Sequence, residues 1–165
     1  MNISFLRNRE FLAYWLPPLA WCGLVLILSG DLGSSQKTLG ILAWLLSWFP
    51  ALSPDQVNLI NFYFRKTLGH FGNYGFLYFL WFRAFRVPRG HGAGRACLYS
   101  LGLCLGVALL DEGRQAFFAS RGSSLWDVAL DLSGALTAAL IVSIFWPHQA
   151  RPTGNHKLPD PAMEA

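Results

Sequence analysis

One histidine in this sequence keeps polar company at helical spacing. His70 stands four residues from both Lys66 and Tyr74, with Arg65 just ahead. Asp111, Glu112, Arg114 and Gln115 fall within five residues, and Asp127 and Asp131 are four apart, with Arg121 upstream. Positions i and i+4 share one helical face, so each set presents its polar groups in one direction. A histidine with a carboxylate is the pairing used for acid–base work on a phosphoester or acyl bond. His70, Asp111 and Glu112 are the catalytic candidates. Arginine and lysine hold phosphate or carboxylate groups, arginine through its planar fork. No nucleophile accompanies them. Ser123 and Ser124 follow Gly122 without a GxSxG elbow, and Ser34 and Ser35 have the character of caps. One histidine among carboxylates shows no metal-ligand spacing. Cys22, Cys97 and Cys104 form no CxxC or Cys/His pattern and are expected to be small buried hydrophobes. The sequence therefore predicts neither a metal nor a cofactor, and it leaves open whether any reaction is catalysed.

These groups lie directly against apolar runs. Of the 165 residues, 53% are hydrophobic and 13% charged, against about 25% charged in a soluble domain. The deficit and the run lengths point to a membrane. The net charge of +4 is then a topology signal and no sign of nucleic-acid binding. The first run is Phe11 to Gly30, preceded by Arg7 and Arg9. It lacks a small-x-small cleavage site and is expected to be an uncleaved signal anchor. The stretch Leu39 to Leu52 is too short to span and carries Trp44 and Trp48 one turn apart, which suits an interfacial helix. Ser53, Pro54 and Gln56 predict a helix start with a capping box. Further spans are expected over Lys66 to Arg86, Ala96 to Leu110 and Leu125 to Trp146. Gly69, Gly72 and Gly75, and the Gly102–Gly106 pair, are small-residue spacings that permit close helix contact or a bend.

The expected fold is all-α: a polytopic bundle of four transmembrane helices with a short interfacial helix between the first and second. Residues 1–10 form a cytoplasmic N-terminus, 11–146 the membrane domain, and 147–165 a disordered cytoplasmic tail rich in proline. Eight of the thirteen basic residues fall at the two ends or in the acid-free connection carrying Arg83, Arg86, Arg89 and Arg95. The positive-inside rule puts these in the cytoplasm.

Depth then brings the polar groups together. A hydrocarbon core of about 30 Å takes about 20 helical residues. Counted outward from Arg95, about 20 residues end at Gln115; counted back from Arg86, they end at Lys66. Asp127 and Asp131 enter the last span from the same side. Charged groups at such depth face the bundle interior and pair. Four acids (Asp111, Glu112, Asp127, Asp131) and four bases (Arg65, Lys66, Arg114, Arg121) are so placed around His70. Two readings remain open: ion pairs that only join helices, or a site for an anionic group at the outer leaflet. The second site comprises Arg65, Lys66, His70, Tyr74, Asp111, Glu112, Arg114, Gln115, Arg121, Asp127 and Asp131.

At these residues the chain resembles the VanZ-like family of small bacterial membrane proteins. The matching pieces are RKTLGHFGNY (Arg65 to Tyr74), DEGRQ (Asp111 to Gln115), Arg121, LWDVALDLSG (Leu125 to Gly134) and GSSQ (Gly33 to Gln36). The similarity runs from about Trp21 to Trp146. One departure is Asn73, where the family often carries an acid. The resemblance implies a multi-pass protein of the bacterial inner membrane with both termini cytoplasmic. It also implies a link to glycopeptide susceptibility through the namesake's association with low-level teicoplanin resistance, while the basic residues of the cluster make membrane lipids and anionic lipid-linked cell-wall precursors the expected partners. It implies no settled reaction. The competing expectation is a lipid-head-group hydrolase or transferase using His70 with Asp111 or Glu112.

Overall fold

The computed structural model describes residues 9–48, 52–119 and 122–146. All elements among them are helical. The first, α1 (Phe11–Leu28), opens with a π-helical turn at Phe11–Trp15. Pro17 and Pro18 fall in the first turn of its α-helical part, near the start of α1, where missing N–H groups cost less than in mid-helix. A 3₁₀ turn at Asp31–Gly33 leads to α2 (Ser35–Leu46). This helix starts four residues ahead of the apolar run, because the extended backbone of Ser34 (φ −63°, ψ 153°) sets the boundary and hydrophobicity does not.

The α3 helix (Pro54–Phe64) has the expected capping box. Ser53 Oγ accepts from the Gln56 amide at 3.3 Å, and Gln56 Oε1 accepts from the Ser53 amide at 2.8 Å. Two amides otherwise without helical partners are thereby satisfied. Ser53→Ala is expected to cost about 1 kcal/mol at this helix start. Amide exchange over the first turns of α3 should accelerate roughly fivefold on that account, while exchange in the later helices stays unchanged.

The helix does not stop at Phe64. It passes through a π-helical segment, Arg65–Gly72, into α4 (Asn73–Arg86). After a turn come α5 (Ala93–Gln115) and α6 (Leu125–Phe145), the latter capped by Ser124 Oγ accepting from the Trp126 amide at 3.2 Å. Among the described residues three helices, α1, α5 and α6, are long and apolar enough to cross a membrane. The π segment with α4 is less apolar, since Lys66, His70, Asn73 and Arg83 fall along it together with three glycines. The tail 147–165 and Arg121 lie outside the described residues.

Helices α4, α5 and α6 pack on one another, α1 lies against α4 and α5, and the π segment lies on α6. Among the described residues, the short α2 packs on α3 and the 3₁₀ turn, with a hydrogen bond from Arg65 of the π segment to Thr38. The interior holds Tyr74, Leu77, Tyr78, Trp81, Cys104 and Ala135, while Leu98, Leu110, Leu140 and Ile144 face outward. Polar groups sit inside and leucines outside, the order that suits a lipid solvent.

The closest helix crossing is at Gly134. A Cβ there would stand 2.0 Å from the carbonyl oxygen of Phe71, and one at Gly75 would stand 3.3 Å from the carbonyl of Gly134. The π segment and α6 thus touch backbone to backbone. Gly69, Gly102 and Gly106 have nothing within 4 Å where a Cβ would be, so the Gly102–Gly106 spacing makes no helix contact among the described residues.

Candidate functional site

The π segment, the last turn of α5 and the first two turns of α6 meet at one level of the bundle. His70 lies in the π segment, a helix variant often found where function displaces ordinary i→i+4 bonding. Its imidazole Nδ1 is 3.0 Å from Asp131 Oδ1, and its Nε2 is 3.8 Å from Asp127 Oδ2. Both acids come from α6, one turn apart, so the ring lies between them. Lys66, one turn ahead of His70, forms an ion pair with Asp127. Tyr74 is buried on the same side, within Coulombic reach of Asp131 and Asp111.

The α5 residues close the site. Glu112 accepts from the Ser124 amide at 2.7 Å and from Gln115 Nε2 at 3.1 Å, so its carboxylate ties the end of α5 to the start of α6. Asp111 is held differently. Its backbone carbonyl accepts from Ser29 Oγ at 3.0 Å, which fixes the end of α1 to α5. Among the described residues its side-chain Oδ1 has no hydrogen-bond partner and is buried, as are Asp131 Oδ2 and the Tyr74 hydroxyl. Asp131 is wholly inaccessible, and Asp111 is 6% exposed.

Eight of the residues singled out by spacing and depth therefore gather here: Lys66, His70, Tyr74, Asp111, Glu112, Gln115, Asp127 and Asp131. Two described basic residues are turned elsewhere. Arg65 Nη1 donates to the Gly33 carbonyl at 2.8 Å and to Thr38 Oγ1 at 3.3 Å, reaching toward α2. Arg114 lies over the Phe118 ring, 6.0 Å from its centre. Arg121 falls outside the described residues. The balanced set of four acids and four bases is thus reduced: among the described residues, Lys66 is the one lysine or arginine paired to these acids.

Several contributors carry no periodic signal. Ser29 and Ser124 act through one hydrogen bond each. Asn73, the position that departs from the family pattern, accepts from Trp21 Nε1 at 2.7 Å and so joins α1 to α4. A cavity of about 760 Å³ adjoins the site. Leu24, Leu28, Ile41, Leu45 and Phe64 form part of its wall, and Arg65, His70 and Asp111 also line it. It opens between α1 and the α2–α3 pair because α2 does not reach the main bundle.

A family model described as VanZ/LLP1 matches residues 14–146. No curated protein and no solved structure matches the chain.

Proposed function

Because the chain belongs to the VanZ/LLP1 family of membrane proteins, we propose that it binds an anionic amphiphile, a lipid or a lipid-linked cell-envelope precursor, at the extracytoplasmic face of the bacterial inner membrane. The carrying observation is the cavity of about 760 Å³, which combines leucine, isoleucine and phenylalanine walls with Arg65 and His70. Apolar walls suit acyl or prenyl chains. A guanidinium suits a phosphate or carboxylate head.

In this reading the chain crosses the membrane four times, the π segment with α4 being the second crossing. The short α2, with Trp44 and Trp48 exposed, lies in the interface. Orientation follows from the arginines. Arg83 and Arg89 lie over the rings of Tyr14 and Trp15 at the start of α1, at the opposite end of the helices from Asp111. The stretch of α5 from Ala93 to Asp111 separates the two levels by roughly 27 Å of helix, close to the thickness of a hydrocarbon core. The basic end is cytoplasmic, as are both termini and the tail 147–165, and the acidic site faces outward. The family link makes glycopeptide susceptibility the phenotype to score.

The test is a titration of delipidated protein in detergent with phosphatidylglycerol and phosphatidylcholine of identical chains. The anionic lipid should bind at least about tenfold more tightly. Arg65→Gln should abolish that preference and leave the chain-dependent binding in place. Equal affinity for the two head groups contradicts the proposal. Release of a cleaved or transferred head group would instead favour the hydrolase or transferase reading, for which the His70 ring beside Asp131, Asp127 and the cavity supplies the acid–base group.

A further inference from the structure

Among the described residues, the acidic centre is short of positive charge. Asp111, Glu112, Asp127 and Asp131 are each at least nine-tenths buried, and Lys66 is the one lysine or arginine paired to them among the described residues. Counted among the described residues alone, with Arg121 outside that count, four ionised acids against one ammonium leave an excess of three negative charges, or two if His70 is protonated. Carboxylates removed from water without counter-charge are strongly disfavoured. Protons, a cation or a basic side chain outside the described residues must balance them.

The geometry points to a cation. We propose that His70, Asp111 and Asp131 form a binding site for a divalent metal ion of the class that accepts mixed nitrogen and oxygen donors, Zn²⁺ or Mn²⁺. One donor atom from each of these residues lies within 4.8 Å of the others. Ligands on a shared ion with bonds of about 2.1 Å stand roughly 3.4 Å apart at tetrahedral angles, so a modest inward rotation of the carboxylates closes the set. Two buried oxygens in it, Asp111 Oδ1 and Asp131 Oδ2, have no hydrogen-bond partner among the described residues. Both are held out of water, on residues whose donor atoms come together with the imidazole.

A second grouping, His70 with Glu112 and Asp127, meets the same distance. Its acids are already engaged, Asp127 by Lys66 and Glu112 by Ser124 and Gln115. That makes it the supporting layer. With one imidazole nitrogen on the ion, the other faces Asp127, the carboxylate–histidine–metal arrangement that fixes ring orientation and raises ligand basicity. One imidazole and two carboxylates are a borderline donor set, which separates Zn²⁺ and Mn²⁺ from ions that prefer thiolates or an all-oxygen shell. The sequence hides the site because its ligands come from three separate helical segments.

The inference does not depend on lipid binding, and its test contains no lipid. Full-length protein in detergent, stripped with chelator, is titrated with Zn²⁺ and with Mn²⁺ by calorimetry. About one ion per chain should bind. Asp111→Asn and Asp131→Asn should each weaken binding by at least about 100-fold, since loss of a mere supporting partner costs roughly 10–100-fold. The exposed Asp55→Asn should match the unaltered protein. A wild-type reading guards against misfolded variants: pulsed electron paramagnetic resonance of bound Mn²⁺ should show directly coordinated imidazole nitrogen. Absence of binding, undiminished binding in both variants, or a Mn²⁺ signal with oxygen ligands alone would overturn the proposal. The first of these outcomes would leave shared protons, or a basic side chain outside the described residues, to balance the carboxylates.

Discussion

Gly134→Ala should destabilise the folded protein by about 3 kcal/mol, the upper end of the usual range for overpacking. The added carbon would stand 2.0 Å from the Phe71 carbonyl oxygen and 2.8 Å from its carbonyl carbon. Both are backbone atoms, so no side-chain rotation makes room; the π segment and α6 must move apart. That crossing sets the position of His70 between Asp127 and Asp131, and the site is disturbed with it. The midpoint of thermal or dodecyl sulfate denaturation in mild detergent reads the effect. Gly102→Ala is the comparison. Nothing lies within 4 Å of a Cβ there, and the change should stay within about 0.5 kcal/mol of the starting protein. Equal effects at the two glycines would remove the close crossing from the account.

The second large effect is expected at His70. Its replacement by alanine takes the hydrogen-bonded partner from Asp131 Oδ1, a carboxylate with no exposed surface whose other oxygen already lacks a partner. Breaking a buried pair by removing one member costs roughly 3–5 kcal/mol, because the remaining charge is left uncompensated. The lower end applies here, since Lys66 stands nearby on Asp127. His70→Ala is therefore expected to lose about 3 kcal/mol in the denaturation assay, with chelator present so that no metal contributes. His70→Gln can still donate to Asp131 and should lose markedly less. If both variants insert and accumulate normally with unaltered stability, the ring is not what holds the buried acid.

The way this site could be read from sequence is specific. Helix rise against membrane thickness was enough to place Asp111, Glu112 and Gln115 in the last turn of a helix, and α5 ends at Gln115. Spacing put Lys66 and His70 on one face, and both reach α6 acids. The cap at Ser53 followed from local chemistry alone. What stayed hidden depends on contacts between distant segments. Asp131, and neither Asp111 nor Glu112, is the hydrogen-bond partner of His70, a choice made by how α6 rotates against the π segment. The π geometry of Arg65–Gly72 has no sequence signature here, and its nearest constraint is Phe71 against Gly134. Charge balance also misleads when counted along the chain. Arg65 turns to Gly33 and Thr38, and Arg114 to Phe118, so proximity in depth did not make them partners of the acids. A glycine pair at helix-contact spacing is silent among the described residues, while a single glycine, Gly134, meets backbone at 2.0 Å.

The account rests on convergence: polar side chains from separate helices share one buried site. His70 and Asp131, 61 residues apart in sequence, are its shortest direct statement. A double-mutant cycle of His70→Ala, Asp131→Ala and the combined variant, measured by denaturation in detergent with chelator, tests it most directly. The account predicts a coupling of about 2 kcal/mol or more, the combined variant being far less destabilised than the two single losses added together. Additivity within about 0.5 kcal/mol would mean that the two side chains do not meet, and would contradict the site described here.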